Sequence, residues 1–235
     1  MAKYLITQTL MGSFSYLMDC RDEVKDSAYE DFIKTLNREP KETTPEMQNG
    51  RDFEDLVYAI AEGKNVLQRG DPTVTKGYEG DTEIGDGNII YPKWYNGAFK
   101  VAQYILNAPS QVPLYGETSV HGLDLLVYGI LDSLKAGTIY DVKFSNKSFG
   151  SAELAGKYLH SPQHPTYFFL CPEAKDFIYL VSDGEDIYTE RYTRKMSRDF
   201  HDVADELLRF LEVSNLLETY KEKWDTEKAN WHGKQ

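Results

Sequence analysis

Residues 129–143 read GILDSLKAGTIYDVK. Asp132 closes one β-like run and a Lys-Ala-Gly turn follows. Thr138-Ile139-Tyr140 then delivers Asp141, with Lys143 two residues further on. Side chains at i and i+2 of a strand share a face, so Asp141 and Lys143 point the same way. A hairpin through the turn brings Asp132 alongside them. Two carboxylates that converge on one point repel unless a cation lies between them. A hard divalent ion such as Mg²⁺ takes oxygen ligands, commonly one or two carboxylates, and fills its shell with water and phosphate. A lysine beside it is placed to stabilise charge on a phosphate or to steer an attacking water. The chemistry this spacing points to is metal-dependent cleavage of a phosphodiester.

The flanking segments supply the elements that must hold these groups. Residues 27–37 and 46–62 carry apolar residues at helical spacing, the first through Tyr29, Phe32, Ile33 and Leu36, the second through Phe53, Leu56, Val57 and Ile60. Glu54 lies next to the second stripe, at the edge of a cleft. A third helix is expected over 96–107. Strands are expected over 111–119, 123–134 and 138–144, the last two joined at Gly137. Residues 69–90, rich in glycine and acid, read as loops and irregular turns. A helix over 161–170 contains Gln163 and Tyr167, four apart and therefore on one face. It accommodates Pro162 and Pro165 if Ser161 is the N-cap. Strands over 177–181 and 186–192 follow, then one amphipathic helix over 197–223 and a polar end, 224–235, that frays.

Each of these residues also has an ordinary reading. Asp132 can open a turn, and Asp141 with Lys143 can be a surface charge pair. Tyr167, followed by Phe168 and Phe169, can be a core aromatic. Against the surface pair, Ile139, Tyr140 and Phe144 make the strand apolar, and charges on a central strand need a reason. Asp124 is the second candidate for the first strand carboxylate, and Asp52 or Asp55 replaces Glu54 if the helix register differs. His121 has no second His or Cys near it in sequence and makes no zinc motif.

Taken together, Glu54, Asp132, Asp141-Val142-Lys143 and the Gln163-x-x-x-Tyr167 spacing resemble the PD-(D/E)XK nuclease superfamily, in its RecB-like and phage-type exonuclease branch. The resemblance runs from about residue 5 to residue 182. It includes an N-terminal segment, Ile6 to Asp19, similar to the short opening helix of that branch. It implies an α/β fold with a restriction-endonuclease-like core, a central mixed β-sheet flanked by helices. The chain is then one domain over 1–235, with the helix at about 197–223 as an appendage. The implied activity is Mg²⁺-dependent hydrolysis of DNA phosphodiesters, Mn²⁺ substituting, by an exonuclease acting on DNA ends in phage or prophage recombination or repair. Asp132, Asp141 and the Val142 carbonyl would bind the metal, and Glu54 would hold a water or a second ion. Lys143 would act on the attacking water, and Gln163 and Tyr167 would brace the site or touch the DNA. An endonuclease or resolvase, or a non-catalytic nucleic-acid or protein-binding module of recombination, uses the same core. The implied partners are DNA and a single-strand annealing or recombination protein, with self-association left open.

Composition bounds these readings. The chain has 235 residues, 41% of them hydrophobic, enough for a large core. No apolar run approaches a membrane span, and there is no secretory signal pattern at the N-terminus. Two cysteines, Cys20 and Cys171, fit a reducing cytoplasm and cannot hold the four-cysteine iron–sulfur cluster of some relatives. The net charge of −12 works against tight unaided DNA binding. Basic residues concentrate in 191–198 (RYTRKMSR) and, around the expected site, at Lys135, Lys143, Lys147 and Lys157, which leaves room for a locally basic groove on an acidic body.

Overall fold

In the computed structural model the described residues are 2–69, 77–79, 82–84, 89–149 and 154–228. The fold is α/β, with a central mixed sheet flanked by helices, as expected. Strand β1 (Tyr4–Thr7) leads into helix α1 (Gln8–Asp19), whose N-terminus is capped by the Thr7 hydroxyl. Helices α2 (Lys25–Leu36) and α3 (Pro45–Ala61) follow. Thr44 caps α3 and Pro45 opens it, a position where the missing N–H costs nothing. Helix α4 is Tyr95–Ile105, and the long hairpin β6 (Ser110–Val120) and β7 (Leu123–Lys135) precedes β8 (Thr138–Phe144). Helix α5 (Gln163–Leu170), strands β9 (Asp176–Ser182) and β10 (Ile187–Thr193) and helices α6 (Phe200–Val213) and α7 (Leu217–Lys223) complete the chain.

Strand β7 organises the sheet. It pairs antiparallel with β6 along nearly its whole length, parallel with β1 over Leu125–Tyr128, and antiparallel with β8 over Ser133–Lys135. Since β6 takes one edge of β7, β1 and β8 share the other and part from one another at Gly129–Asp132. Beyond β8 the sheet continues with β9, parallel, and β10, antiparallel. Ala136 and Gly137 both have positive φ, 51° and 81°, the two-residue turn that matches strand twist and tightens the β7–β8 hairpin. Pro113 lies in β6, an edge strand, where a missing donor is tolerated.

Several expectations change. Residues 68–91 contain four short strands, β2 (Gln68–Arg69), β3 (Gly77–Glu79), β4 (Thr82–Ile84) and β5 (Ile89–Tyr91), in a small separate sheet. The rest of the segment read as loops lies outside the described residues. Strand β1 was not expected: four residues are too few for a period to register. Tyr29, expected to face inward, is 41% exposed, and Ala28 takes its place in the core. The helix expected over 197–223 is two helices, α6 and α7. Asn215 adopts a left-handed conformation (φ 58°), and the Leu216 N–H bonds the Leu211 carbonyl at 2.7 Å, ending α6. Trp224 does not fray: it is buried, and its indole N–H donates to the Leu36 carbonyl at 2.8 Å. Residues 229–235 lie outside the described residues.

Candidate active site at the β7 fork

Where β1 and β8 leave β7, backbone groups of Gly129–Asp132 lose their strand partners on that edge. Buried backbone polar groups without partners are costly, and two side chains close the gap. The Tyr167 hydroxyl donates to the Ile130 carbonyl at 2.5 Å. Asp132 Oδ2 accepts the Val142 backbone N–H at 2.8 Å. The β7–β8 register, Ser133 opposite Tyr140, continues to Asp132 opposite Asp141 just where the ladder opens. The two carboxylates therefore meet at a splayed end of the hairpin.

Asp141 is buried, and it joins the strand motif to α5. Its Oδ1 accepts the Gln163 side-chain amide at 2.9 Å, and the Lys143 ammonium lies 2.6 Å from its Oδ2. Gln163 and Tyr167 thus work as a pair from one helix face: one holds Asp141, the other holds β7. Pro162, not Ser161, is the N-cap of α5, one residue later than expected; Ser161 Oγ still accepts the Gln163 N–H at 3.3 Å. At the far end, the Arg194 guanidinium donates to the carbonyls of Phe168, Cys171, Pro172 and Ala174. Gly129 is what lets Tyr167 approach: a Cβ there would stand 2.8 Å from the Tyr167 ring.

Glu54 arrives from α3. Phe53 and Val57 are fully buried, and Phe53 packs on Phe144 of β8 with ring centroids 4.9 Å apart. This fixes the helix register and leaves Glu54 half-buried toward the carboxylates. Asp52 is exposed and accepts from Gln48, and Asp55 is exposed. Asp124 lies at the opposite end of β7, bonded to Ser119 at 2.5 Å. The fold thus brings Glu54, Asp132, Asp141, Lys143 and Gln163 together and leaves the alternative carboxylates outside.

The electrostatics reflect this crowding. Burial, opposed by Lys143 and reinforced by Asp141, pushes Glu54 from the usual 4.5 up to about 6. Burial and then the Asp141 charge raise Asp132 well above the ordinary carboxylate range, and burial raises Asp141. Burial opposes the Lys143 charge, but Asp141 and Asp132 outweigh it and hold the ammonium form. Among the described residues, no three His, Cys, Asp or Glu side chains stand close enough together to hold a metal ion. The Lys143 ammonium instead lies against Asp141 Oδ2, a buried oxygen without a hydrogen bond of good geometry. A buried all-oxygen donor set that already draws in a cation fits a hard divalent ion.

The basic run 191–198 does not face this site. Arg194 caps α5, Arg191 pairs with Asp176 and Arg198 with Glu206. Lys135 donates to the Tyr104 and Leu106 carbonyls. A cavity of about 750 Å³ beside the fork is lined instead by Gln8, Arg38, Lys41, Arg51, Gly129 and Tyr167. Arg38 and Lys41 come from the loop between α2 and α3 and Arg51 from α3, so no basic run marked them. Sequence reading also missed buried Glu190, which accepts the backbone N–H groups of Gly156 and Tyr158 at 3.1 and 3.3 Å and the hydroxyls of Tyr188 and Tyr192. It holds Tyr158 stacked on Tyr179 at 4.1 Å, close enough to Lys143 and Asp141 to feel their charges.

No protein-family model and no curated protein matches the chain. Among solved structures it is similar to SSO0001, at 12% identity and a TM-score of 0.47, over 88% of this chain and 76% of that one. It is also similar to LHK-Exo, an alkaline exonuclease from Laribacter hongkongensis, at 14% identity and a TM-score of 0.45, over 92% and 91% of the two chains. The complex of LHK-Exo with dAMP gives 13% identity and a TM-score of 0.46. Among the described residues, no helix is long and apolar enough to cross a membrane.

Proposed function

We propose that this protein is a metal-dependent deoxyribonuclease, an exonuclease acting on DNA ends in phage or prophage recombination or repair. The observation that carries the reading is the convergence of Asp132, Asp141, Lys143, Glu54 and Gln163, from four separate elements, on the β7 fork. An ordinary surface charge pair does not recruit a buried carboxylate, a helix amide and a third acid.

Asp132, Asp141 and the Val142 carbonyl would hold Mg²⁺ or Mn²⁺, with Glu54 beside them. When bound, the ion supplies Lewis-acid stabilisation of charge on the scissile phosphate. Gln163 fixes the rotamer of Asp141 and leaves its Oδ2 facing the site. Lys143, whose ammonium lies 2.6 Å from Asp141 Oδ2, would steer the attacking water and stabilise the developing negative charge. Glu54, raised to about 6, is a proton acceptor near neutral pH. Arg38, Lys41 and Arg51 offset the acidic body locally and face the phosphate backbone in the adjoining cavity. A recombination partner protein or a second copy of the chain would add further grip.

The test is one incubation of linear and closed circular DNA with protein, in Mg²⁺ and in chelator. Progressive loss of linear DNA only, and only with Mg²⁺, supports the exonuclease. Nicking of the circle makes it an endonuclease or resolvase. Inertness with every divalent ion leaves a binding module and refutes the enzyme.

A further inference from the structure

Glu190 on β10 is a buried carboxylate outside the fork, 8% exposed. A buried carboxylate is stable only where donors surround it. Two of its donors belong to one short segment, 154–161: the backbone N–H groups of Gly156 and Tyr158, at 3.1 and 3.3 Å. The hydroxyls of Tyr188 and Tyr192 also donate to it. His164 of α5 is buried and stacks on Tyr192 with ring centroids 4.4 Å apart. Its Nε2 donates to the Tyr158 carbonyl at 3.2 Å. Tyr158 is therefore held by both of its backbone polar groups.

That hold fixes where the ring lies. Asp141 on β8 and Tyr179 on β9 are register partners in a parallel pair, so their side chains share one face of the sheet. The Tyr158 ring stacks on Tyr179, with centroids 4.1 Å apart and planes 12° from parallel. Tyr179 is fully buried, whereas Tyr158 above it is only half-buried. Lys157 is exposed, with its ammonium 5.6 Å from the Tyr158 ring centroid. It lines, with Tyr16 and His160, a cavity of about 410 Å³ that reaches Gln163, the residue that holds Asp141. A cation and a half-exposed ring side by side, on an anchored backbone, match what a nucleic-acid strand offers: a phosphate for the ammonium and a base for the π-face.

We propose that Tyr158 and Lys157 form a nucleotide contact beside the fork. The ring stacks a base of the strand being cut, and the ammonium meets the adjacent phosphate. Glu190 and His164 are positioning residues that hold the pair by its backbone. The contact rests on the nuclease reading of the fork. It tolerates any sequence, since every base has a π-face.

The experiment measures binding of DNA by the whole chain in Ca²⁺, with 2-aminopurine placed in turn at each of the terminal nucleotides, and single-turnover cleavage of the same DNA in Mg²⁺. The variants are Tyr158→Leu, Tyr158→Phe and Lys157→Gln. Tyr158→Leu keeps apolar bulk on Tyr179 but offers no π-face, and Tyr158→Phe restores the ring. Tyr158→Leu should bind about 10-fold more weakly and lose the 2-aminopurine quenching, while Tyr158→Phe keeps both. Lys157→Gln should lower the salt slope of binding by about one. Wild-type affinity and quenching in Tyr158→Leu would overturn the proposal, as would a Tyr158→Phe as impaired as Tyr158→Leu. Lys157 is exposed, so Lys157→Gln folds in any case, and an unchanged salt slope would overturn the proposal even if Tyr158→Leu does not fold. A wild-type chain that neither binds nor cuts DNA would overturn the nuclease reading as well. One that cuts while Tyr158→Leu behaves like it overturns the contact alone.

Discussion

Asp132 reaches across the fork to Val142, its Oδ2 accepting the Val142 backbone N–H at 2.8 Å. The carboxylate replaces the missing rung of the ladder and simultaneously faces Asp141. Asp132→Asn keeps an acceptor oxygen for Val142 but removes a charge from a crowded buried cluster. Its metal-free melting temperature should equal or exceed that of the wild type. Asp132→Ala strands the Val142 N–H and should cost about 1–3 kcal/mol. Thermal melts in chelator distinguish the two, and an equal loss in both would show that the bond to Val142 contributes nothing.

The raised carboxyl pKa values make stability depend on pH. Glu54 moves from 4.5 to about 6, and Asp132 and Asp141 move the same way. The folded chain thus holds protons that the unfolded chain has released. In that window the folded state binds more protons, so stability falls as pH rises. For Glu54 the fall lies between 4.5 and about 6, and Asp132 extends it upward. Without metal, the melting temperature should decline across this range, and Glu54→Gln should flatten its lower part. At the proposed site Mg²⁺ would bind the ionised forms, so any stabilisation it gives should grow with pH. A metal-free melting temperature that climbs in wild type but not in Glu54→Gln would reverse the assigned sign.

Lys143 now balances Asp141 across 2.6 Å. Removing one partner of a buried pair leaves the other uncompensated. Lys143→Ala should melt lower than wild type in chelator, and the gap should narrow in Mg²⁺, when the ion takes over that charge. Cleavage should fall by roughly 10² or more, with DNA affinity in Ca²⁺ little changed. Loss of DNA binding in step with cleavage would make Lys143 a substrate contact instead.

Gly129 carries a sharper structural test. A Cβ there would meet the Tyr167 ring at 2.8 Å, so Gly129→Ala must push Tyr167 off the Ile130 carbonyl. The expected destabilisation is about 1–3 kcal/mol by urea unfolding. A wild-type midpoint would show that Tyr167 can shift without loss.

The convergence of the candidate site residues was more legible in the sequence than the elements around them. Asp132, Asp141 and Lys143 were legible because strand alternation and one tight turn fix their relation locally. Gln163 and Tyr167 were legible because helical spacing does the same. The choice of Asp132 over Asp124 depended on where β8 pairs, which alternation along β7 does not encode. Strand β1 was too short to show a period, and the break at Asn215 hid inside a continuous apolar stripe. RYTRKMSR stood out as a basic cluster because its charge is visible in sequence, whereas the carbonyls and acids that engage Arg191, Arg194 and Arg198 are not.

Cleavage of DNA by the proposed nuclease depends on the fork carboxylates together with a divalent ion. The most direct measurement is the single-turnover cleavage rate of linear DNA in Mg²⁺ for the wild type, Asp132→Asn and Asp124→Asn. The expected result is cleavage by the wild type, an equal rate for Asp124→Asn, and a loss of at least ~10²-fold for Asp132→Asn. Asp132→Asn cutting at the wild-type rate, or a wild type inert with Mg²⁺ and Mn²⁺ alike, would contradict it.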